Sequence, residues 1–513
     1  MNTIFFAVID ILDKMSGIEL AALSRSKLFK DYLDLNPVLL TIGYNRHLHQ
    51  NLYNAKQISR AASNLSVLNI YDYFQETTQI DFLNNNIQRD NFDAFRVVPV
   101  PNSPDLRFYD EDGNFIAHCV RTENLALQYI NYIQNGYIYR RENYDCRGFL
   151  SRIDILEKKS DDEEAVNEFY LRADGSVVII KRGLIKNNVL QEPYLINIID
   201  RQGQLLKMFH NDKEFIAYWL GLVVKEFPTA VFMIDRVAEF FDSLKKIKYS
   251  GYGDIKLIPV VHNVHTANDP LVGDASPFYK SIVEDKKSSD AIVVLTEKQK
   301  NDFHVRYGHE NIVVIPNHYD VVTETPPFSS RNKHKILYLA RFADEKNHNL
   351  AVDIFRKVVD KVPEAELHCY GFGNKKDEVI AQVASLNLKD NVFINDYVQD
   401  IGLLYKNAGL SILTSRVEGF PLGVIESLSY GCPVISHDIN YGPSAMIQNG
   451  INGFLIPYAN TTEFANCLVE ILNNPSLHEH LVNNAAASTL PFTSREVSKQ
   501  WKHLLDSHTT DNL

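Results

Sequence analysis

Short apolar, β-branched runs alternate with helical stretches in two parts of this chain, and that alternation limits the possible folds more than any other feature. "AVFMI" (230–234), "KLIPVV" (256–261), "AIVVL" (291–295) and "IVVIPN" (312–317) are separated by segments with helical apolar spacing, and "EFIAYWLGLVVKEF" (214–227) leads into them. A strand covered by helices on both faces reads as a nearly continuous apolar run, and strands spaced by helices pair in parallel. The same texture opens the chain, with a strand-like run at 3–9, a loop containing Gly17 and then a helix. It returns with strands at 335–340, 366–370, 391–395, 410–414 and 433–436, and helical segments at 461–473, 476–488 and 494–506 close the chain. Thr296 and Gln299 form a capping box for a helix ending near Gly308.

Between about 76 and 212 the pattern changes to short alternating runs punctuated by "DEDG" (110–113), "RADGS" (172–176) and "DRQGQ" (200–204). "FYLRADGSVVIIKR" (169–182) reads as a hairpin in which Asp-Gly supplies the positive φ angles of a tight turn. The acidic run "SDDEEA" (160–165) is expected to be an exposed loop. The fold class expected is α/β, with two Rossmann-like domains facing a cleft and an antiparallel, β-rich insertion in the first. Residues 1–75 and 213–325 form the first domain, 76–212 the insertion, and 326–490 the second domain. Residues 491–513 form a helix packing back on the first domain, and the Pro- and Ser-rich stretch 318–335 is the linker. Open parallel sheets bind ligands outside the carboxyl ends of their strands, so the cleft is the expected site.

A chain of 513 residues exceeds one ordinary core and suits two or three domains. Its net charge of −12 argues against a nucleic-acid partner, which needs clustered Lys and Arg. Five scattered cysteines without CxxC spacing favour free thiols in a reducing compartment. "MNTIFFAVIDILDKM" lacks a basic n-region and is broken by Asp10, so it reads as a buried strand rather than a signal peptide. No apolar run approaches the roughly 20 residues of a membrane span, so any membrane contact would be peripheral. HExxH, nucleophile-elbow and GxxxxGK[ST] patterns are absent, and no metal site is expected.

Two motifs carry the chemistry. In "RVEGFPLGVIESLSYG" (416–431), a helix begins after Pro421 and stops at Gly431. Glu418 falls in the loop before it and Glu426 in its second turn, while the N–H groups of Phe420, Leu422 and Gly423 are suited to phosphate oxygens. In "YLARFADEKNHNL" (338–350), Arg341 and Lys346 leave the carboxyl end of a strand, where together they could neutralise a diphosphate.

Glu418 to Glu426, with Gly419, Phe420, Pro421 and Leu422 between, resembles the E-x7-E signature of retaining GT-B glycosyltransferases of family 4, and Arg341 with Lys346 resembles their diphosphate pair. The resemblance implies that Glu426 holds the ribose hydroxyls of a nucleotide and Glu418 faces the transferred sugar. It also implies that Arg341 and Lys346 stabilise the leaving diphosphate, and that Gly17 admits the phosphates to the first loop. His262 or His265, in "VVHNVHTAND", matches the strand-end histidine beside the donor sugar, and Asn317 matches the interdomain "PN" turn. The insertion, with "AIVVLTEKQKNDF" and "DINYGPSAMI" (438–447), is similar to that of the wall teichoic acid α-glycosyltransferases of the poly(glycerol-phosphate) α-glucosyltransferase type. Two departures are Ser16-Gly17 where many relatives carry two glycines, and His318 where a glycine is common.

The implied enzyme is a retaining hexosyltransferase moving glucose or N-acetylglucosamine from a UDP-sugar, without a cofactor, to hydroxyls of an anionic polyol-phosphate polymer. Alternatives are an O-glycosyltransferase of serine-rich adhesins and a noncatalytic partner subunit. A homo-oligomer formed through the insertion is expected, in the cytoplasm at the inner face of the plasma membrane.

Overall fold

A computed structural model of the chain describes residues 2–80, 95–159, 162–186, 189–267, 269–320, 322, 324–398 and 400–509. It divides into two compact units, Met1–Lys27 with Leu35–Leu257, and Leu28–Asp34 with Ile258–Leu513.

In the first unit β1 (Ile4–Val8), β2 (Val38–Thr41) and β3 (Ser66–Asn69) pair in parallel. All five residues of β1 are buried, as a strand covered on both faces requires. The ten strands that follow are β4 (Arg96–Pro99), β5 (Leu106–Tyr109), β6 (Phe115–Arg121), β7 (Leu127–Gln134), β8 (Tyr137–Tyr144), β9 (Leu150–Lys159), β10 (Asp162–Leu171), β11 (Val177–Lys186), β12 (Val189–Ile199) and β13 (Leu205–Phe209). They form one antiparallel sheet in consecutive order, around a core of Phe108, Ala117, Cys119, Ile130 and Tyr144. β14 (Val231–Ile234) then returns to pair in parallel with β1.

The join between the two kinds of sheet is polar and buried. Gln75, ending the helix Ile70–Gln75, donates to the carbonyls of Ser151 (2.8 Å) and Leu171 (2.6 Å). Arg147, with no side-chain exposure, spans Asp72 (2.6 Å) and Asp145 (2.7 Å). Buried charge is tolerated where it is paired and hydrogen-bonded in this way.

The second unit holds most of β15 (Lys256–Val261), with β16 (Ile292–Val294) and β17 (Ile312–Val314), paired in parallel. It also holds a six-stranded sheet of β18 (Asn332–Leu339), β19 (Glu366–Tyr370), β20 (Val392–Asn395), β21 (Ala408–Leu413), β22 (Val434–Asp438) and β23 (Gly453–Pro457), in the order β20-β19-β18-β21-β22-β23. Trp501 of the final helix, Ser494–Thr509, meets the Phe29 ring edge-on at 5.7 Å.

Four local expectations change. The acidic run does not form a loop from end to end, because residues 162–165 belong to β10; residues 160–161 lie outside the described residues. In the 172–176 turn Gly175 alone takes a positive φ, +85°, with a register shift at Tyr170/Leu171 absorbing the extra residue. The capping box is half made. Thr296 accepts from Gln299 N at 3.1 Å, but the Gln299 amide donates instead to the Asn263 carbonyl at 2.8 Å. The strand β23 was not foreseen.

Candidate active site

Arg341 emerges two residues beyond β18, on a loop gripped by the chain that follows β19. Ala340 N donates to Tyr370 O at 3.2 Å, Phe342 N to Phe372 O at 2.8 Å, and Lys375 N to Phe342 O at 3.1 Å. Two glycines permit this approach, since a Cβ at Gly371 would lie 2.0 Å from the Ala340 oxygen and one at Gly373 would lie 2.2 Å from the Phe342 oxygen. The loop then closes in a 3-10 turn, Asp344–Lys346. The Lys346 carbonyl accepts from the Tyr338 hydroxyl and from Thr414 Oγ1.

Arg416 ties this turn to the next motif. Its N–H donates to Glu345 O at 2.8 Å and its Nη2 to Asp344 O at 2.9 Å. The turns carrying Lys346 and Glu418 are therefore one hydrogen-bonded body.

Glu418, only 8% exposed, lies between β21 and the helix Leu422–Ser429. Its Oε1 receives both Lys346 Nζ at 2.5 Å and Ser415 Oγ at 2.7 Å. Among the described residues no donor takes Oε2. The backbone of Glu418 is paired twice with the stretch after β22, its N–H donating to Asn440 O at 3.2 Å and its carbonyl accepting from Tyr441 N. The following residue must be glycine, because a Cβ at Gly419 would lie 1.9 Å from the His262 oxygen and 2.5 Å from its carbonyl carbon. That approach brings the half-buried His262, at the carboxyl end of β15, against the Glu418 turn.

The helix Leu422–Ser429 begins after Pro421 with no side chain capping it, so its first N–H groups are not taken by a cap. Phe420 is buried with its ring edge-on to Phe492 at 5.6 Å. Leu422 and Gly423 are half-buried, and the Gly423 carbonyl accepts from the Tyr405 hydroxyl at 3.2 Å. Glu426 is half-buried in the second turn, and Gly431 ends the segment with φ +72°. Burial, aided by the charge of Glu426, pushes the Tyr405 hydroxyl well above its ordinary range.

The remaining candidates are placed as follows. Arg341 is 46% exposed and pairs with Glu345 at 2.7 Å, on the same loop as Lys346 but not touching Glu418. His265 has no exposed surface, and its ring stacks on Tyr441 (6.0 Å, 13°) and contacts Phe303 (5.0 Å) and Tyr307 (5.7 Å). Burial lowers its pKa to about 4, so it is neutral at pH 7 and enclosed by rings. Of the two histidines, His262 is the one that reaches solvent. Asn317 is half-buried, three residues past β17. Gly17, in the first unit, is exposed as the first residue of the helix Gly17–Leu33. Nearby, burial raises the Asp10 pKa although Asn45 donates to it at 3.0 Å. Ser415, Arg416, Gly419 and Tyr441 were not singled out from the sequence, although "TS" at 414–415 and the glycine after Glu418 are small-residue signals of close approach.

Residues 323–488 match the family described as glycosyl transferases group 1. The chain is 24% identical over 515 residues to poly(glycerol-phosphate) alpha-glucosyltransferase of Bacillus subtilis, covering 96% of this chain and 73% of that protein. It is 21% identical over 513 residues to poly(ribitol-phosphate) alpha-N-acetylglucosaminyltransferase of Staphylococcus aureus, covering 99% and 100%. Among solved structures, TarM superposes with a TM-score of 0.82 at 20% identity, covering 99% of both chains. The pneumococcal O-GlcNAc transferase GtfA, in complex with UDP and GlcNAc, superposes with a TM-score of 0.81 at 18% identity, also covering 99% of both. Residues 323–488 thus match the group 1 glycosyltransferases, and the chain as a whole shares its GT-B fold with TarM and GtfA.

Proposed function

We propose that the protein transfers glucose or N-acetylglucosamine, with retention of configuration, from a UDP-sugar to hydroxyls of a polyol-phosphate wall teichoic acid polymer. The observation that carries this is the state of Glu418. One carboxylate oxygen is fixed by Lys346 and Ser415 while the other is left to accept from a sugar hydroxyl. The same ammonium has further N–H donors for a diphosphate oxygen, so Lys346 links the leaving group to the carboxylate that orients the sugar.

Arg341 supplies the second cation. Its exposed pair with Glu345 is worth about 0–1 kcal/mol, so a diphosphate takes it over at small cost. Glu426 holds the ribose, the N–H groups of Leu422 and Gly423 meet phosphate oxygens, and His262 lies by the donor sugar. Gly17 admits phosphate to the first loop, and Asn317 is the residue of the PN turn. The leaving diphosphate takes the acceptor proton on the face where it departs, which gives retention.

The protein acts on the cytoplasmic side of the membrane, in keeping with five free thiols. It works as a homo-oligomer through the inserted sheet. The edge strand β13, which exposes Leu205, Leu206 and Met208, supports that assembly, since an apolar edge left bare is an aggregation hazard.

A second reading, transfer of N-acetylglucosamine to a serine-rich protein, draws on the likeness to GtfA. Incubation with UDP-glucose or UDP-N-acetylglucosamine and, in turn, poly(glycerol-phosphate), poly(ribitol-phosphate) or a serine-rich peptide separates the two. We expect an α-linked product on a polyol polymer, a rate that falls with salt as charge steering is screened, and no product with Glu418→Ala. Glycosylation of the peptide alone would favour the second reading. Full activity of Glu418→Ala would remove the basis of both.

A further inference from the structure

Tyr441 lies outside the two charged motifs, yet it is built into the Glu418 turn. Its N–H donates to the Glu418 carbonyl, and the carbonyl of the preceding residue accepts from Glu418 N, so residues 440–441 pair with Glu418 on both sides of its backbone. Its side chain, 1% exposed, leaves the turn and is anchored elsewhere. The hydroxyl donates to Asp302 Oδ2 at 3.0 Å, the ring stacks on His265, and Lys298 Nζ stands 5.3 Å from the ring centroid. Asp302 and Lys298 both lie on the helix Glu297–Tyr307, which follows β16. Gly442 completes the clamp, because a Cβ there would lie 2.4 Å from Pro421 Cδ and 3.0 Å from Phe420 Cα.

We propose that Tyr441 is a positioning residue for Glu418, holding the turn that carries its carboxylate by anchoring residues 440–442 to Asp302 and His265. This rests on the assignment of Glu418 to the transferred sugar. Two backbone hydrogen bonds alone would hold the turn only as firmly as the strand end that makes them. The part-buried hydroxyl–carboxylate bond and the ring stack connect that strand end to a second element, so a shift of one moves the other. Geometry at a reacting centre is sensitive to such shifts, since a displacement of about 1 Å can cost 10²-fold in rate. The nucleoside contact is carried by Glu426, in the second turn of the helix that follows Pro421, a turn beyond the residues that Gly442 packs against.

The test compares Tyr441→Phe, which keeps the ring and loses the hydroxyl, with Asp302→Asn, which keeps an acceptor and loses the charge. For Tyr441→Phe we expect kcat for sugar transfer to fall about 10-fold while the Kd for UDP changes less than 2-fold; Asp302→Asn is expected to give a smaller fall of the same kind. In a Glu418→Gln background, Tyr441→Phe should leave the residual rate unchanged within 2-fold. Equal losses in both backgrounds, or loss of UDP binding in step with kcat, would assign Tyr441 a general structural role and overturn the proposal. Unchanged kcat in Tyr441→Phe would overturn it as well. If Glu418→Gln itself retains full rate, the assignment of Glu418 fails, and that outcome is distinct from failure of the anchor.

Discussion

Gly419→Ala tests the geometry of the site with one methyl group. A Cβ at this position falls 1.9 Å from the His262 carbonyl oxygen, 2.5 Å from its carbon and 2.9 Å from Asn263 N. All three are backbone atoms, so no side chain can swing aside. Relieving the overlap to the 3.0 Å floor for such contacts means opening the approach by about 1 Å, and a misplacement of that size at a reacting centre costs about 10²-fold. Because Glu418 is the adjacent residue, its carboxylate moves with the turn, and the expected loss in kcat is about 10²-fold, or about 3 kcal/mol of transition-state stabilisation. Overpacking of this kind costs roughly 1–3 kcal/mol of stability, so the variant should remain folded with a lowered Tm. The control is Gly221→Ala, where a Cβ meets nothing within 4 Å and which should leave kcat unchanged. Steady-state transfer rates and thermal melts of both variants decide the matter. A folded Gly419→Ala protein with at least half the parental kcat would refute the claim that this approach sets the catalytic geometry.

Three further expectations rest on other contacts in the structure. Glu426→Gln keeps one acceptor but loses the charge that, in the role proposed for Glu426, strengthens hydrogen bonds to ribose hydroxyls, so the Kd for UDP should rise about 10-fold by calorimetry while kcat at saturating donor changes less than 3-fold. His348 lies between the Tyr338 and Phe342 rings, each at 4.4 Å, and burial, with the Lys346 charge adding to it, lowers its pKa from 6.5 to about 3. Its folded form excludes a proton the unfolded chain would take, so its contribution to stability is complete above about pH 6.5 and is lost as pH falls toward 3; His348→Phe should remove about 2 kcal/mol of the decline between pH 7 and 5 in urea titrations. Arg147→Met leaves two buried carboxylates without their shared cation and should destabilise the first unit by about 3–5 kcal/mol, partly restored by adding Asp72→Asn.

The parallel strands were legible because full burial on two faces leaves an uninterrupted apolar signature, as in "IFFAV" and "AIVVL". The strand "GFLIP" (453–457) carried no such signature, since it is short and bounded by glycine and proline. Its glycine is demanded by tertiary structure, because a Cβ at Gly453 would lie 1.9 Å from the Val434 oxygen of β22. The acidic stretch misled for a related reason. From residue 162 its backbone pairs antiparallel with β9, a partner strand that the run itself does not display.

The same division holds within the site. Arg341, Lys346, Glu418 and Glu426 announce themselves because charge at strand and helix ends is a local pattern. What orients them is not local. Glu418 owes its carboxylate setting to Lys346 and Ser415, its backbone to Asn440 and Tyr441, and its neighbour's close approach to His262, far back in the chain. His265 shows the converse, for it has the residue type and strand-end position of a ligand contact, yet three aromatic rings enclose it. A chain keeping the four charged residues but losing Gly419 would still match the motif and, by the steric reasoning above, would transfer sugar about 10²-fold more slowly. The charged pattern specifies which groups can act, and the glycine and backbone contacts specify whether they are held where the reaction needs them.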